Sequence, residues 1–262
     1  MKKNSLLGRI FLGVTALYLV LPFALTLIYS LFVEWSDLLP RGFTLRNYVA
    51  LFSNTEFWLS IGRTLLLCAV SVLVTIALLL LAMYVVLVVN RRLAPVLQFI
   101  CMIPYALQGV ILSISIISLY SGTDTLLSNR MMMLFGAYTI LVLPYIYQGI
   151  RNSMNAINAN MLIQAAEMLG CSKFRAYLRV VLPNIFSGIL VSALLAESIV
   201  FGDFVLANNI AGNNYQNIQV FLNRQMATSS GLASAIVVII FLVVFLITGL
   251  VLRLQSKQTK ET

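Results

Sequence analysis

Two carboxylates, Glu197 and Asp203, lie within a single apolar segment of the sequence. A charge at the middle of a bilayer costs about 2.5–3.5 kcal/mol on insertion scales, so such groups usually face a cavity or a partner. Two interpretations stay open. The pair contacts a cationic or amine-bearing substrate, or it forms structural ion pairs, for example with Arg63 or Arg130. Six residues make about 1.7 helical turns, so the two acids need not share a face.

The sequence lacks the residues needed for histidine-dependent catalysis and for a zinc site of His and Cys. It has no histidine, and Cys68, Cys101 and Cys171 occur singly. These absences exclude a zinc site of His and Cys, His-based acid–base catalysis and a His-containing triad. No GxxxxGK[ST] phosphate loop is present. We expect no catalytic residue, no metal and no directly bound cofactor, and we expect Cys68 and Cys101 to be small core residues.

Two prolines inside apolar segments are each followed by a tyrosine, as Pro104-Tyr105 and Pro144-Tyr145. A proline removes a backbone hydrogen bond and kinks a helix. The tyrosines can therefore shape a gate, although a plain packing kink is the alternative, because proline is tolerated in membrane helices. Gln108 adds a polar group to the third apolar segment. If the apolar segments enclose a path for a polar solute, Glu197, Asp203, Gln108, Tyr105 and Tyr145 are the candidate residues to line it.

The composition places these residues in a membrane protein. Of the 262 residues, 61% are hydrophobic and 10% are charged, against roughly 25% charged in ordinary soluble domains. A bilayer-crossing helix needs about 20 apolar residues. The sequence predicts an all-α integral membrane protein with a single transmembrane domain, 1–262, whose first apolar segment is a retained span and not a signal peptide. Six spans are predicted, at about 10–33, 65–89, 95–119, 131–150, 184–206 and 231–252.

The basic residues sort unevenly between the two sides of such a bundle. One side carries five: Arg41, Arg46, Arg63, Arg130 and Arg224. The other carries twelve: Lys2, Lys3, Arg9, Arg91, Arg92, Arg151, Lys173, Arg175, Arg179, Arg253, Lys257 and Lys260. By the positive-inside rule the richer side is cytoplasmic, which places both termini inside. The net charge of +9 then follows from topology, and we expect no nucleic-acid partner.

The longest cytoplasmic segment, 151–183, has a helical pattern of apolar residues. They recur at spacings of three or four: Met154, Ile157, Met161, Ala165 and Met168, widened by Leu162 and Leu169. This pattern predicts an amphipathic helix that ends at Gly170 in a left-handed cap. Ser172 is placed to cap a second short helix that ends near Pro183, where the fifth span begins. The two predicted helices and the glycine between them form a cytoplasmic helix–Gly–helix elbow, residues 151–183. This elbow either contacts a partner or packs under the helix bundle.

The exact residues of this segment resemble the EAA loop of ABC importer permeases. That family pattern is Glu-Ala-Ala, three residues, Gly, nine residues, Ile, one residue, Leu-Pro, and it also lies between the fourth and fifth spans. Two positions depart from the pattern, since Gln164 replaces the Glu and Val180 replaces the Ile, and Glu167 is placed to stand in for the lost charge. The resemblance assigns ATPase coupling to these loop residues: Gln164, Ala165, Ala166, Glu167, Leu169, Gly170, Phe174, Leu182 and Pro183.

The resemblance implies a type I importer half in the cell inner membrane. Two such subunits, the same or homologous, form the path. An ABC ATPase dimer hydrolyses ATP on the inside, and an extracytoplasmic solute-binding protein delivers the substrate. The segments 201–204 and 215–220 resemble the subfamily for polyamines, ferric iron and 2-aminoethylphosphonate. The alternatives are an ion-gradient-driven secondary transporter, a membrane enzyme or scaffold, and an ABC exporter half.

Overall fold

The computed structural model describes residues 5–34, 41–107, 109–122, 126–212 and 215–261, and most of them are helical. A short antiparallel hairpin pairs Phe32 with Phe43 and Glu34 with Arg41. The elements in chain order are α1 Ser5–Ser30, β1 Phe32–Glu34, β2 Arg41–Phe43, α2 Arg46–Phe52, α3 Thr55–Tyr84, α4 Ala94–Ala106, α5 Gly109–Tyr120, α6 Arg130–Ala156, α7 Ala159–Met168, α8 Lys173–Ala176, α9 Leu182–Gly202, α10 Ile218–Met226 and α11 Ser230–Glu261. Three π-helical turns, at Val85–Val89, Tyr177–Val181 and Ala207–Ala211, extend α3, join α8 to α9 and follow α9.

The expected all-α membrane architecture is confirmed within the described residues. Five helical stretches are long and apolar enough to cross a bilayer, and a bent helix pair brings the number to six if it is one span. The five are Gly8–Ser30, Thr55–Val89, Arg130–Ala156, Lys173–Gly202 and Ser230–Val251. An apolar run of about 20 residues matches the thickness of the bilayer core, so the sequence alone locates such segments.

The third predicted span, about 95–119, for which a kink at Pro104 was one interpretation, is divided into two helices. The chain there forms α4 and α5, which lie at 104° to one another. The last turn of α4 closes with the Leu107 N–H donating to the Pro104 carbonyl oxygen at 3.2 Å. Proline cannot donate to the helix ladder, and a glycine, Gly109, begins α5. These two residues therefore mark the boundaries of the bend.

The predicted bounds of three other spans were also too narrow or shifted. The second begins at Thr55, where the Asn54 Oδ1 accepts the Glu56 N–H at 2.9 Å. The fourth continues to Ala156. The fifth begins at Lys173 and passes through Pro183 without a break. A π-helical turn precedes that proline, and the Asn184 side-chain amide donates to the Val180 carbonyl oxygen at 2.7 Å.

Contacts group the described residues into two compact units. The first contains residues of 1–59 and 221–247. Its core includes Phe57, which is fully buried. The ring centroid of Phe57 lies 6.0 Å from that of Phe221. The Ser30 and Tyr48 hydroxyls are hydrogen-bonded at 2.6 Å. The Ser30–Tyr48 hydrogen bond joins the end of α1 to α2.

The second unit contains residues of 60–220 and 248–262, and its core is the α6–α9 pair. A Cβ at Gly188 would collide with the Ser153 hydroxyl, and one at Gly149 would collide with Ser192. Small residues at such crossings let helix backbones approach closely in membranes. Cys68 and Cys101 are both 1% exposed, which confirms the prediction that they are core residues.

Candidate coupling elbow and translocation path

The elbow ends α7 with a two-bond turn centred on Gly170. The Gly170 N–H donates to the Glu167 carbonyl oxygen at 2.9 Å, and the Cys171 N–H donates to the Ala166 oxygen at 3.0 Å. This is the Schellman arrangement, which needs a left-handed residue at the glycine position. Gly170 has a φ of +81°. The predicted glycine cap is confirmed.

The helix before the cap is shorter than the apolar stripe predicted. Met154 belongs to α6 and is buried. The helix is interrupted at Asn158, whose φ is +50°. Asparagine tolerates this left-handed conformation better than most residues, but its occurrence in a polar stretch gave no sign of a break. In α7 the buried face is Ala159 and Ile163.

The C-terminal end of α7 presents apolar side chains outward. Met168 is 90% exposed and Leu169 is 89% exposed, and Met161 on the same helix is 68% exposed. Two large apolar groups left this open at a rigid cap are unusual unless another surface covers them. The adjacent Ala165 is exposed and Ala166 is half-buried, so the motif alanines keep this end of the helix narrow.

Two aromatic residues after the cap attach the elbow to α3. The Tyr177 hydroxyl donates to the Leu80 carbonyl oxygen at 2.8 Å. The rings of Phe174 and Tyr177 both pack edge-on against Tyr84, with centroids at 5.6 and 5.2 Å. Tyr177 is 3% exposed, whereas Phe174 is 54% exposed. The sequence placed Tyr177 in the second helix but gave no reason to assign it an anchoring role.

The charged residues of the elbow bridge the cap. The Glu167 Oε1 lies 3.6 Å from the Lys173 Nζ, and both side chains are partly exposed. A solvent-exposed pair of this kind contributes about 0–1 kcal/mol. The Ser172 backbone oxygen, rather than its hydroxyl, accepts the Ala176 N–H at 2.9 Å, so Ser172 occupies the predicted cap position without side-chain capping.

The end of the motif begins α9. Leu182 is half-buried and Pro183 is exposed, in the first turn of that helix. The second elbow helix was expected to stop near Pro183. Instead α8, the π-helical turn Tyr177–Val181 and α9 form one helical stretch. The elbow is therefore joined to the fifth span without a flexible connection.

Asp203 lies just beyond the end of α9, not inside a span as predicted. Its Oδ2 accepts N–H bonds from Leu206 at 3.0 Å and Ala207 at 3.3 Å. The Tyr138 hydroxyl donates to the same oxygen at 3.2 Å. This carboxylate caps the helical turn that follows it, in the way that Asp commonly caps helices.

Two polar residues to which sequence reasoning assigned no role hold the chain around Asp203. The Asn217 amide donates to the Asp203 backbone oxygen at 3.3 Å, and the Gln219 amide donates to the Phe201 oxygen at 3.0 Å. The Asn217 Oδ1 also caps α10 by accepting the Val220 N–H at 2.8 Å. The segment 215–220, noted for its family resemblance, thus fastens the turn after α9.

Glu197 lies in α9 and is half-buried. It is close enough to the Cys68 thiol on α3 to interact electrostatically with it. Within the part of the chain that the structure describes, no hydrogen-bond donor contacts the Glu197 carboxylate. The two acids therefore differ, because Asp203 has three donors from its own chain.

Tyr105 and Tyr145, the two tyrosines that each follow a proline in a predicted span, are in contact. Their ring centroids are 5.1 Å apart at an interplanar angle of 77°. The Gln148 amide, which the sequence did not point to, donates to the Tyr105 hydroxyl at 3.3 Å. Gln108 lies outside the described residues.

Comparisons with known proteins identify the family. The model of the family described as "Binding-protein-dependent transport system inner membrane component" matches residues 74–260. No curated protein is similar enough in sequence to count as a match.

Two solved structures share the fold. One is a bacterial ABC transporter involved in the import of the acidic polysaccharide alginate, at 16% identity over 97% of this chain and 98% of that one, with a TM-score of 0.66. The other is a bacterial alginate ABC transporter in complex with an alginate pentasaccharide-bound periplasmic protein. It is 15% identical over 95% of this chain and 93% of that one, with a TM-score of 0.67. The family match covers well over half of the sequence. The chain therefore belongs to the inner membrane components of binding-protein-dependent transport systems, the permeases of ABC importers, which have no ATPase motif of their own.

Proposed function

We propose that this permease forms half of a translocation path in complex with a second permease, the same chain or a homologue, and an ABC ATPase dimer. An extracytoplasmic solute-binding protein delivers the substrate, and ATP is hydrolysed by the ATPase subunits. The observation that carries the proposal is the exposure of Met168 and Leu169 at the rigid cap of α7. Flexible methionine side chains adapt well to a partner groove.

Two connections between the elbow and the spans support a route by which ATPase motion reaches the path. Tyr177 attaches the elbow to α3, and the helical stretch from Lys173 to Gly202 runs from the elbow through the fifth span. A force applied at Leu169 is thus transmitted along a helix that also carries Glu197. ATP-driven closure of the ATPase pair then moves the substrate-facing residues without a separate linkage.

For the substrate, we propose a small organic or mineral ion of the polyamine, 2-aminoethylphosphonate or ferric iron class. Glu197 supports this choice, because a half-buried carboxylate in a membrane helix attracts a cation or an amine. The three donors to Asp203 make a structural role the better interpretation of that residue. The solved structures concern alginate, an acidic polysaccharide, so an alginate oligosaccharide is the competing ligand to test.

Co-purification tests the assembly. The C-terminally tagged chain is extracted in mild detergent, and bound proteins are identified by mass spectrometry. We expect an ATPase with a phosphate-loop sequence, and we expect the double variant Met168→Glu, Leu169→Glu to lose it. Interface hot spots contribute about 2 kcal/mol or more, about a thirtyfold loss of affinity.

The matched control is Met226→Glu, which changes a methionine that is 63% exposed outside the elbow. It should retain the ATPase at the wild-type level. Recovery of the tagged chain alone, with transport in ATP-free proteoliposomes, would favour an ion-gradient-driven secondary transporter. In the assembled complex, Glu197→Gln should reduce uptake of a polyamine at least tenfold, and unchanged uptake would count against the substrate class.

A further inference from the structure

A cavity of about 810 Å³ lies among the end of α3, the start of α4, the end of α6 and the start of α7. It falls within the range of volumes, about 300–1,000 Å³, that is usual for ligand pockets. Met168 and Leu169, which the proposed function places against the ATPase, do not line it, whereas Gln164 of the family motif does. Docking of an ATPase on the two exposed residues therefore leaves this cavity unexplained.

The charged lining of the cavity is entirely cationic. Arg91 and Arg151 both line it, and none of its described lining residues is acidic. The Arg151 guanidinium lies 5.9 Å from the centroid of the Tyr147 ring, which holds it in place. Arginine binds phosphate through paired N–H groups, so two arginines without a carboxylate in the wall favour an anion.

Amide side chains complete the polar part of the wall. Asn155, Asn158 and Asn160 line the cavity at the α6–α7 break, and Gln164 lines it from α7. At Gln164 the family pattern has a glutamate, so this chain presents a neutral hydrogen-bond donor where a negative charge would repel an anion. The departure from the pattern thus has a physical consequence in this cavity.

The rest of the wall is apolar. Met83, Val86 and Leu87 line it from α3 and its π-helical extension, and Leu97 lines it from α4. π-Helical turns occur often at functional sites. We propose that this cavity binds a phosphate-bearing anion, which is either the headgroup of an anionic phospholipid or a soluble phosphate compound. Basic pockets between membrane helices bind lipid headgroups in this way, and the apolar wall suits the start of an acyl chain.

Native mass spectrometry of the full chain in detergent tests the site, with phosphatidylglycerol, phosphatidylcholine and glycerol phosphate as separate probes. Each juxtamembrane arginine contributes about 1 kcal/mol to anionic lipid binding, about fivefold in affinity. We expect the double variant Arg91→Gln, Arg151→Gln to bind phosphatidylglycerol about 25-fold more weakly. Gln164→Glu, which restores the family residue, should weaken it at least fivefold.

The control is Arg92→Gln, a neighbouring exposed arginine that does not line the cavity. It should bind like the wild type. Arginine-dependent binding of phosphatidylglycerol alone identifies a lipid, and arginine-dependent binding of glycerol phosphate identifies a soluble ligand. Equal binding of phosphatidylcholine and phosphatidylglycerol without glycerol phosphate binding would overturn the proposal. Wild-type affinity in Gln164→Glu would do the same even if the double arginine variant failed to fold. No ATPase subunit takes part, so the result is independent of the proposed function.

Discussion

At the scale of single residues, the two acids of the fifth apolar segment have different surroundings. Asp203 accepts three hydrogen bonds from its own chain, and two of them cap the turn that follows α9. Glu197 is half-buried in α9, and none of its described neighbours donates a hydrogen bond to its carboxylate. The sequence gave both residues the same two interpretations, because their apolar surroundings are alike along the chain.

Substitution of Asp203 separates a capping role from substrate binding. Asp203→Ala removes an N-cap acceptor and should cost about 0.5–2 kcal/mol of stability, whereas Asp203→Asn keeps one oxygen and should retain most of it. Thermal unfolding in detergent measures the difference, with transport assayed in parallel. If Asp203→Asn is as stable as wild type yet abolishes transport of a cation, the carboxylate charge contacts substrate.

Gly170 is the residue at which elbow geometry depends on backbone freedom alone. Space is open around its position, but its φ of +81° disfavours any residue with a Cβ, by roughly 1–2 kcal/mol for most L-residues. Gly170→Val should uncouple ATP hydrolysis from transport, whereas Gly170→Asn, which tolerates this conformation, should stay largely coupled. Substrate-stimulated ATPase activity of the assembled complex is the measurement. Equal stimulation in the valine variant and the wild type would contradict it.

At the scale of elements, the close crossing of α6 and α9 depends on two glycines, whose lack of a side chain lets the helices approach. Gly149 and Gly188 face Ser192 and Ser153, and each serine hydroxyl donates to a glycine carbonyl oxygen of its own helix at 2.8 Å. The serines thereby satisfy their polar groups within a close interface. This crossing holds the span that follows the elbow against the fourth span.

Gly188→Ala should therefore destabilise the second unit. The added methyl meets the Ser153 hydroxyl, and overpacking a close contact costs about 1–3 kcal/mol. The midpoint of thermal unfolding in detergent is the readout. Gly136→Ala is the control, since it lies on the same α6 helix with open space around it. Alanine favours a helix more than glycine does, so Gly136→Ala should be neutral or stabilising, and an equal loss in both variants would contradict the packing explanation.

At the scale of the whole molecule, the bent pair α4–α5 decides the parity of the crossings. One crossing by the pair gives six spans and termini on one side, whereas a re-entrant pair gives five and termini on opposite sides. The charge distribution predicts the first arrangement, with Arg91 and Arg92 inside. The match in fold to importer permeases is consistent with either count.

Reporter fusions test this topology. A fluorescent protein that matures only in the cytoplasm should be bright when fused at either terminus of the chain. An alkaline phosphatase active only outside should be active when fused after Gly122, beyond the end of α5. Bright fusions at one terminus alone would show that α4 and α5 turn back into the same side of the membrane.

The sequence by itself determined the features that depend on local chemistry. Long apolar runs located the spans, the glycine in the cap position located the left-handed turn, and the spaced motif located the elbow. The cap and the motif depend on residues within a few helical turns of one another, and the spans depend on the preference of apolar side chains for the bilayer over water.

Only the tertiary structure decided what depends on residues distant in sequence. The three donors to Asp203, the attachment of Tyr177 to Leu80 and the continuous stretch from Lys173 to Gly202 were not predicted. A carboxylate looks the same in the sequence whether its donors come from Tyr138 or from a substrate. Its role is set by which groups the fold brings within about 3 Å of it, and the apolar pattern of a membrane helix contains no information about those neighbours.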